Sequence, residues 1–278
     1  MVKPHIGIDI EWDGTGGVCR LGQEKYANEI TTGLTEKEKR KKFGVGDLAL
    51  GADGGIEGLQ KQQQAWVGVL GWLVRTQPHL SVVFGEVSRN NTRASNSTVL
   101  AARRACEYAK ATHRPLCLFR VVRPAFVLWA DASYDVTTCD GRLGWELQLV
   151  SECDVDGGKG IARVRGGNVV AWRSKRCTRK LASTTSAELV TLLEGIKAMP
   201  RFLRFTRALW GVVPRLLVGT DSESLLGWLR TRRAKTDSAM QGVLELVIER
   251  LECAGALVLW VPSEQQRADR HTKFIGVS

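Results

Sequence analysis

From residue 124 onward the chain follows an order that few folds accept. Strand-like apolar runs at 126–131, 144–151 and 168–174 succeed one another with no helical stretch between them. Helical periodicity then appears at 186–199, a strand run at 215–219, helical runs at 222–231 and 238–253, and a last strand run at 256–261. Consecutive strands joined by turns pair as an antiparallel meander, whereas strands separated by helices join through crossovers and run parallel. The pattern predicts an α/β unit built on a five-stranded mixed sheet with flanking helices.

Acids sit at the ends of these elements. In "FVLWADAS" an apolar strand runs into Asp131, a costly place for a carboxylate unless something compensates its desolvation. In "STTSAELVTLLEGI", Leu189, Leu192, Leu193 and Ile196 define a buried helix face, and Glu188 lies at its edge in the first turn. A capping box with Thr185 is the alternative for Glu188. Asp221 follows the strand "RLLVG" just before a helix, either as an N-cap or as a ligand at the carboxyl end of a strand. Asp269 falls in the polar helical run "EQQRADRHTK", where pairing with Arg267 or Lys273 as a solvated acid is the alternative. If the first and fourth strands are neighbours, all four acids meet at one sheet edge. Such a cluster repels itself without cations, and hard oxygen ligands in this number suit Mg²⁺ or Mn²⁺. Two such ions, about 3.5–4 Å apart, can clamp the attacking and leaving oxygens of a phosphodiester.

Upstream, "HIGIDIEW", the turn "DGTGG", "VCRLGQ" and "EKYANEI" read as a β-hairpin and a short helix. Residues 31–62, with the charge run "EKEKRKK" and glycines at 44, 46, 51, 54, 55 and 58, read as a linker. Residues 63–112 are helical. The first helix carries Trp66, Leu70 and Leu73, and Pro78 opens a second with Val82, Val83 and Val87. Ser97 caps a third with Leu100, Ala101, Arg104 and Tyr108, which places Arg103, Arg104 and Lys110 outside.

The formal net charge of +11 favours a polyanionic partner over a membrane surface, for which no amphipathic basic helix is clear. No apolar run is long enough to span a bilayer, and "MVKPHIGIDIEWDG" is unlike a signal peptide. The seven cysteines (Cys19, Cys106, Cys117, Cys139, Cys153, Cys177, Cys253) show no CxxC spacing, which argues against a zinc knuckle and for free thiols in a reducing intracellular compartment, cytoplasmic or nuclear. Trp129 and Trp260 read as core, and Asp135 and Asp140 as turn acids.

"FVLWADAS", "AWRSKRCTRKLASTTSAELV", "LLVGTDSESLLGWL" and "LWVPSEQQRADRHTKF" together resemble the ribonuclease H domain of copia-type LTR retrotransposon polyproteins. "IGIDIEWDGTGGVCRLGQEKYANEI" resembles the segment after the polymerase palm, and "WVGVLGWLVRTQPHLSVVFGEVSRNNTRASNSTVLAARRACEYAK" the thumb and connection helices. The resemblance implies a ribonuclease H-like domain at 121–278. Ahead of it come a post-palm hairpin and helix at 1–30, the linker at 31–62 and a mainly helical thumb/connection at 63–120. It implies cleavage of the RNA strand of RNA–DNA hybrids with two Mg²⁺, or Mn²⁺, ions. Asp131 would bridge both ions, Glu188 and Asp221 would hold the one near the leaving oxygen, and Asp269 the one that activates water. Glu188 would also touch a ribose 2′-hydroxyl. The rest of the polyprotein is an implied partner.

This sequence departs from the family pattern in three ways. No Tyr-x-Asp-Asp motif exists, Ser222 stands where the family often carries an amide, and no histidine lies between Asp221 and Asp269. His271 follows Asp269 and reads as a surface helix residue. Two basic runs are expected to grip the hybrid backbone: Arg173, Lys175, Arg176, Arg179 and Lys180, and then Arg230, Arg232, Arg233 and Lys235. A catalytically decayed binding module derived from a retroelement is the competing reading. A transposase or integrase on the same fold is disfavoured, because those end their acid set on a glutamate.

Overall fold

The computed structural model describes residues 2–44, 57–135, 137, 140–156 and 163–274. Contacts divide the chain into two compact units, one formed by Met1–Leu118 with Phe274–Ser278 and the other by Phe119–Lys273.

The first unit holds a four-stranded sheet in the order β1 (Val2–His5), β2 (Ile8–Asp13), β3 (Val18–Gly22), β4 (Leu116–Phe119). Asp13 builds the β2–β3 turn by accepting from the backbone N–H of Thr15 and of Gly16, each at 3.1 Å. Its helices are α1 (Glu24–Glu29), α2 (Glu36–Arg40), α3 (Glu57–Leu73), α4 (Ser81–Ser88) and α5 (Asn96–Ala111). Leu70, Leu73, Val83, Val87, Ala102, Ala105 and Ala109 share its core with Cys106, whose thiol burial pushes up to about 12.

Several expectations change here. Residues 31–44 are not a free linker: Thr35 caps α2 with a capping box, and Arg104 donates to the carbonyls of Lys41 (3.0 Å) and Lys42 (3.1 Å). Arg104 is therefore buried rather than outside, and Arg103 donates to the Thr32 carbonyl at 2.6 Å. Helix α3 starts at Glu57, ahead of residue 63. Ser95, not Ser97, caps α5: its hydroxyl accepts from the Thr98 N–H at 3.3 Å, and its own N–H donates to Thr98 Oγ1 at 2.9 Å. Gly46, Gly51, Gly54, Gly55 and Cys139 lie outside the described residues.

The second unit is the mixed sheet. Its strands are β5 (Pro124–Asp135), β6 (Asp140–Ser151), β9 (Asn168–Arg176), β10 (Arg215–Thr220) and β11 (Leu257–Trp260), ordered β11-β10-β5-β6-β9. The pairs β5–β6 and β6–β9 are antiparallel, and β5–β10 and β10–β11 are parallel. A two-residue ladder of β7 (Val155–Asp156) and β8 (Arg163–Val164) lies between β6 and β9 in the chain. The helices are α6 (Thr184–Trp210), α7 (Glu223–Thr231) and α8 (Gln241–Cys253).

Alternation along β5 gives each sheet face its core. Phe126, Leu128 and Ala130 pack with Leu189, Leu192 and Ile196 of α6 and with Leu244, Val247 and Leu251 of α8. Ala125, Val127 and Trp129 face the opposite way, with Leu217, Leu259, Val261 and Ala268. A side chain at Gly195 would bring its Cβ within 2.8 Å of Leu128, so this glycine lets α6 approach the sheet closely. The expected helix end at 199 is wrong, since α6 runs through Pro200 to Trp210. Proline costs an interior hydrogen bond. Here Phe202 and Leu203 pack against the core beyond it, which offsets that loss.

Candidate metal centre

Strand register places the first two acids. Trp129 of β5 is paired with Gly219 of the parallel strand β10; two residues further on, Asp221 lies just past the end of β10 and Asp131 lies beside that edge, still within β5, which runs on to Asp135 rather than stopping at the acid as expected. That edge is where open α/β sheets present ligand sites. The third acid comes from a helix start. Ser183 caps α6 by accepting from the Ser186 N–H at 3.2 Å, so Glu188 is not committed to a capping box. Ala187 and Leu189 are fully buried on either side, and Glu188 is directed into the sheet edge.

Asp131, Glu188 and Asp221 each offer an oxygen, and these oxygens lie within 4.8 Å of one another. Asp131 is 5% exposed and Glu188 4%. Glu188 Oε1 accepts from the Ala132 N–H at 3.2 Å, while its buried Oε2 has no hydrogen-bond partner among the described residues. Asp131 Oδ2 accepts from the Thr272 hydroxyl. Asp221 accepts from Ser263 Oγ at 2.8 Å and Gln266 Nε2 at 3.4 Å.

Burial pushes the Asp131 carboxyl up to about 6. The Thr272 hydrogen bond and Lys273 pull it back, and the charges of Asp269 and Asp221 add to the rise. Glu188 is raised well above the usual carboxylate range, by burial first and by Asp131 second. Desolvated acids crowded together hold protons unless a cation takes their place. Three converging carboxylates, one of which keeps a buried oxygen without a hydrogen-bond partner, fit a hard divalent ion.

Asp269 is outside this trio. It rides on a 3₁₀ turn, Arg267–His271, where a longer polar helix was expected, and its Oδ1 accepts from Lys273 Nζ at 2.9 Å. Its charge is nonetheless felt at Asp131. Burial draws the Lys273 ammonium down, but the Asp269 hydrogen bond and the charges of Asp131, Asp269 and Asp221 hold it above its ordinary value.

His271 is no surface residue. It is fully buried, and its Nε2 lies 2.8 Å from Glu146 Oε2. Sequence reasoning missed Glu146, Ser263, Gln266 and Thr272; it named Lys273 only as a pairing partner for Asp269, and that pair is present. The one available signal was the density of polar side chains in 263–273, which a solvated helix explained equally well.

The basic runs divide. Arg173, Arg176, Arg179 and Lys180 are exposed, but Lys175 is half-buried and bound to Glu194 of α6 at 2.7 Å. Arg230, Arg233 and Lys235 are exposed; Arg232 caps α7 in the left-handed region (φ 57°) and pairs with Glu252. Lys175 and Arg232 each pair with an acid of the same unit. Asp135 is a turn acid, accepting from the Thr137 N–H at 2.8 Å. Trp129 is core, as expected, and Trp260 is half-buried.

No protein-family model matches the chain, and no curated protein does. Among solved structures it is similar to a ribonuclease H1 isolated from compost by a metagenomic approach, with TM-score 0.39 and 13% identity, over 53% of this chain and 91% of that one. It is also similar to the N-terminal ribonuclease H domain of a Mycobacterium tuberculosis protein, with TM-score 0.36 and 16% identity, over 53% and 90%. By its own strand order and directions, and its flanking helices, the second unit has a ribonuclease H-like fold. Among the described residues, no helix is long and apolar enough to cross a membrane.

Proposed function

We propose that the second unit is a metal-dependent nuclease that cuts the RNA strand of RNA–DNA hybrids. The observation that carries this reading is the convergence of one oxygen each from Asp131, Glu188 and Asp221 within 4.8 Å of one another, in a site where Glu188 Oε2 is buried without a hydrogen-bond partner among the described residues. Asp131, Glu188 and Asp221 would hold Mg²⁺, with Asp269 beside them for a second ion. Such ions, when bound, polarise the scissile phosphate and lower the pKa of water. The chain's own part is to fix the acids. Thr272 orients Asp131, the Ala132 N–H orients Glu188, and Ser263 and Gln266 orient Asp221. Lys273 neutralises part of the charge. Arg173, Arg176, Arg179, Lys180, Arg230, Arg233 and Lys235 would meet the hybrid's phosphates. The first unit we read as the post-palm hairpin and thumb/connection of a copia-type polyprotein.

A strand-labelled hybrid incubated with Mg²⁺ tests this reading. RNA cleavage that disappears in Asp131→Asn, with hybrid binding retained, supports it. Tight binding without cleavage by the wild type would make the protein a binding module. Arg233→Glu with Lys235→Glu should flatten the salt dependence of binding by roughly two in the logarithmic slope, and an unchanged slope removes that surface from the interface.

A further inference from the structure

The backbone bonds of the turn that carries Asp269 are local: the Asp269 N–H donates to the Gln266 carbonyl at 3.4 Å, and the Asp269 carbonyl accepts from the N–H groups of Thr272 (3.1 Å) and Lys273 (2.8 Å). The turn is five residues of 3₁₀ helix, a geometry with poor internal hydrogen bonds. Its hold on the sheet comes from side chains. Gln266 Nε2 donates to the Ala130 carbonyl at 3.0 Å, and Thr272 donates to Asp131. Between these attachments stands Glu146 of β6, fully buried. Glu146 is paired with Trp129, and Gly144 with Asp131, so Glu146 shares the sheet face of Asp131 one pair further in. Its Oε2 accepts from Arg270 Nε at 2.7 Å, from Arg270 Nη2, and from His271 Nε2 at 2.8 Å. Its Oε1 accepts from Gln148 Nε2 at 2.7 Å, and Gln148 Oε1 accepts from Trp129 Nε1 at 3.1 Å. Gly144 closes the fit: a Cβ there would lie 2.6 Å from Thr272 Cγ2 and 2.9 Å from the His271 backbone.

We infer that Glu146 is a positioning residue for the acid site: through Arg270 and His271 it sets the turn that presents Asp269 beside Asp131. The inference rests on the metal-dependent reading above. A buried ionic network is weak evidence of stability in itself, because apolar residues of the same volume often serve as well. What this network adds is direction. It grips the two residues directly after Asp269, and a turn fixed on both sides of an acid holds that acid in one place. Outer partners that orient metal ligands typically govern affinity by ten- to a hundred-fold.

Mn²⁺ titration of the full chain without nucleic acid, with free Mn²⁺ followed by electron paramagnetic resonance, tests this. The wild type should take up two ions. Glu146→Gln keeps the side-chain shape and should retain the ion held by Asp131, Glu188 and Asp221 while weakening the other by about ten-fold or more. Its hybrid cleavage should return to the wild-type rate at saturating Mn²⁺. Arg270 is one-third exposed, so Arg270→Gln tests the same link where folding is less at risk and should shift the same ion in the same direction. Unchanged constants for both ions in a folded Glu146→Gln or Arg270→Gln protein overturn the positioning role and leave the nuclease reading intact. A wild type that takes up no Mn²⁺ overturns that reading, and the inference with it.

Discussion

Glu146 and Glu188 are equally hidden acids with opposite surroundings. Glu146 is 0% exposed and Glu188 4%. Burial works to raise Glu146, yet His271 and Arg270 outweigh it and hold the carboxyl below its usual range. Glu188 has one backbone donor, an unpartnered oxygen and Asp131 as neighbour, and its carboxyl is driven well up. One site is completed by the protein itself. The other is incomplete in a way only a cation, or protons, can resolve. A buried acid by itself says little; whether its charge is answered distinguishes scaffold from site.

Glu146→Ala should give the largest effect. It strands His271 and Arg270 without their acceptor, and breaking a buried pair costs about 3–5 kcal/mol. Denaturant unfolding of the second unit would read this directly, and a loss under about 1 kcal/mol would erase the contrast.

Asp131→Asn should move stability the other way when divalent ions are absent. The folded carboxyl is raised from 3.8 to about 6. Between those values the folded state keeps a proton that the unfolded chain has released, so stability falls as pH rises through the window. The substitution removes that penalty. A gain of about 3 kcal/mol is expected at pH 7.5, fading to none near pH 4. Glu146 has the opposite sign: its contribution is present above its unfolded pKa and is lost as pH falls.

Thr272→Val keeps the shape but deletes the hydroxyl that Asp131 accepts, for a loss of about 1–2 kcal/mol. Lys273 is more than half exposed, so Lys273→Gln should cost only about half a kcal/mol without divalent ions, and less with Mg²⁺ present. If the two losses are equal, Thr272 is not acting on a buried charge.

The sheet was legible because its strands are apolar runs and its crossovers are helical. Glu188 and Asp221 were legible because each sits near the start or end of such an element, and Asp131 because it interrupts an apolar run, although β5 continues past it to Asp135. The Asp269 segment was not, since periodicity cannot tell a solvated helix from 3₁₀ turns pinned by side chains. Glu146 and His271 are 125 positions apart. In "LGWELQLV", Glu146 reads as the polar face of a half-exposed strand, and only the fold shows the C-terminal turn covering it. The helix end expected at 199 failed in the other direction, because packing of Phe202 and Leu203 carries α6 through Pro200.

We propose that the Asp131–Glu188–Asp221 edge holds divalent ions for cutting RNA paired with DNA. The most direct test is the rate of RNA-strand cleavage in a labelled hybrid as Mg²⁺ is added to wild type and to Asp131→Asn. Mg²⁺-dependent cleavage by the wild type is expected, with a loss on the order of 10³-fold or more in the variant. Equal rates for the two proteins, or no cleavage by a wild type that binds the hybrid tightly, would contradict it.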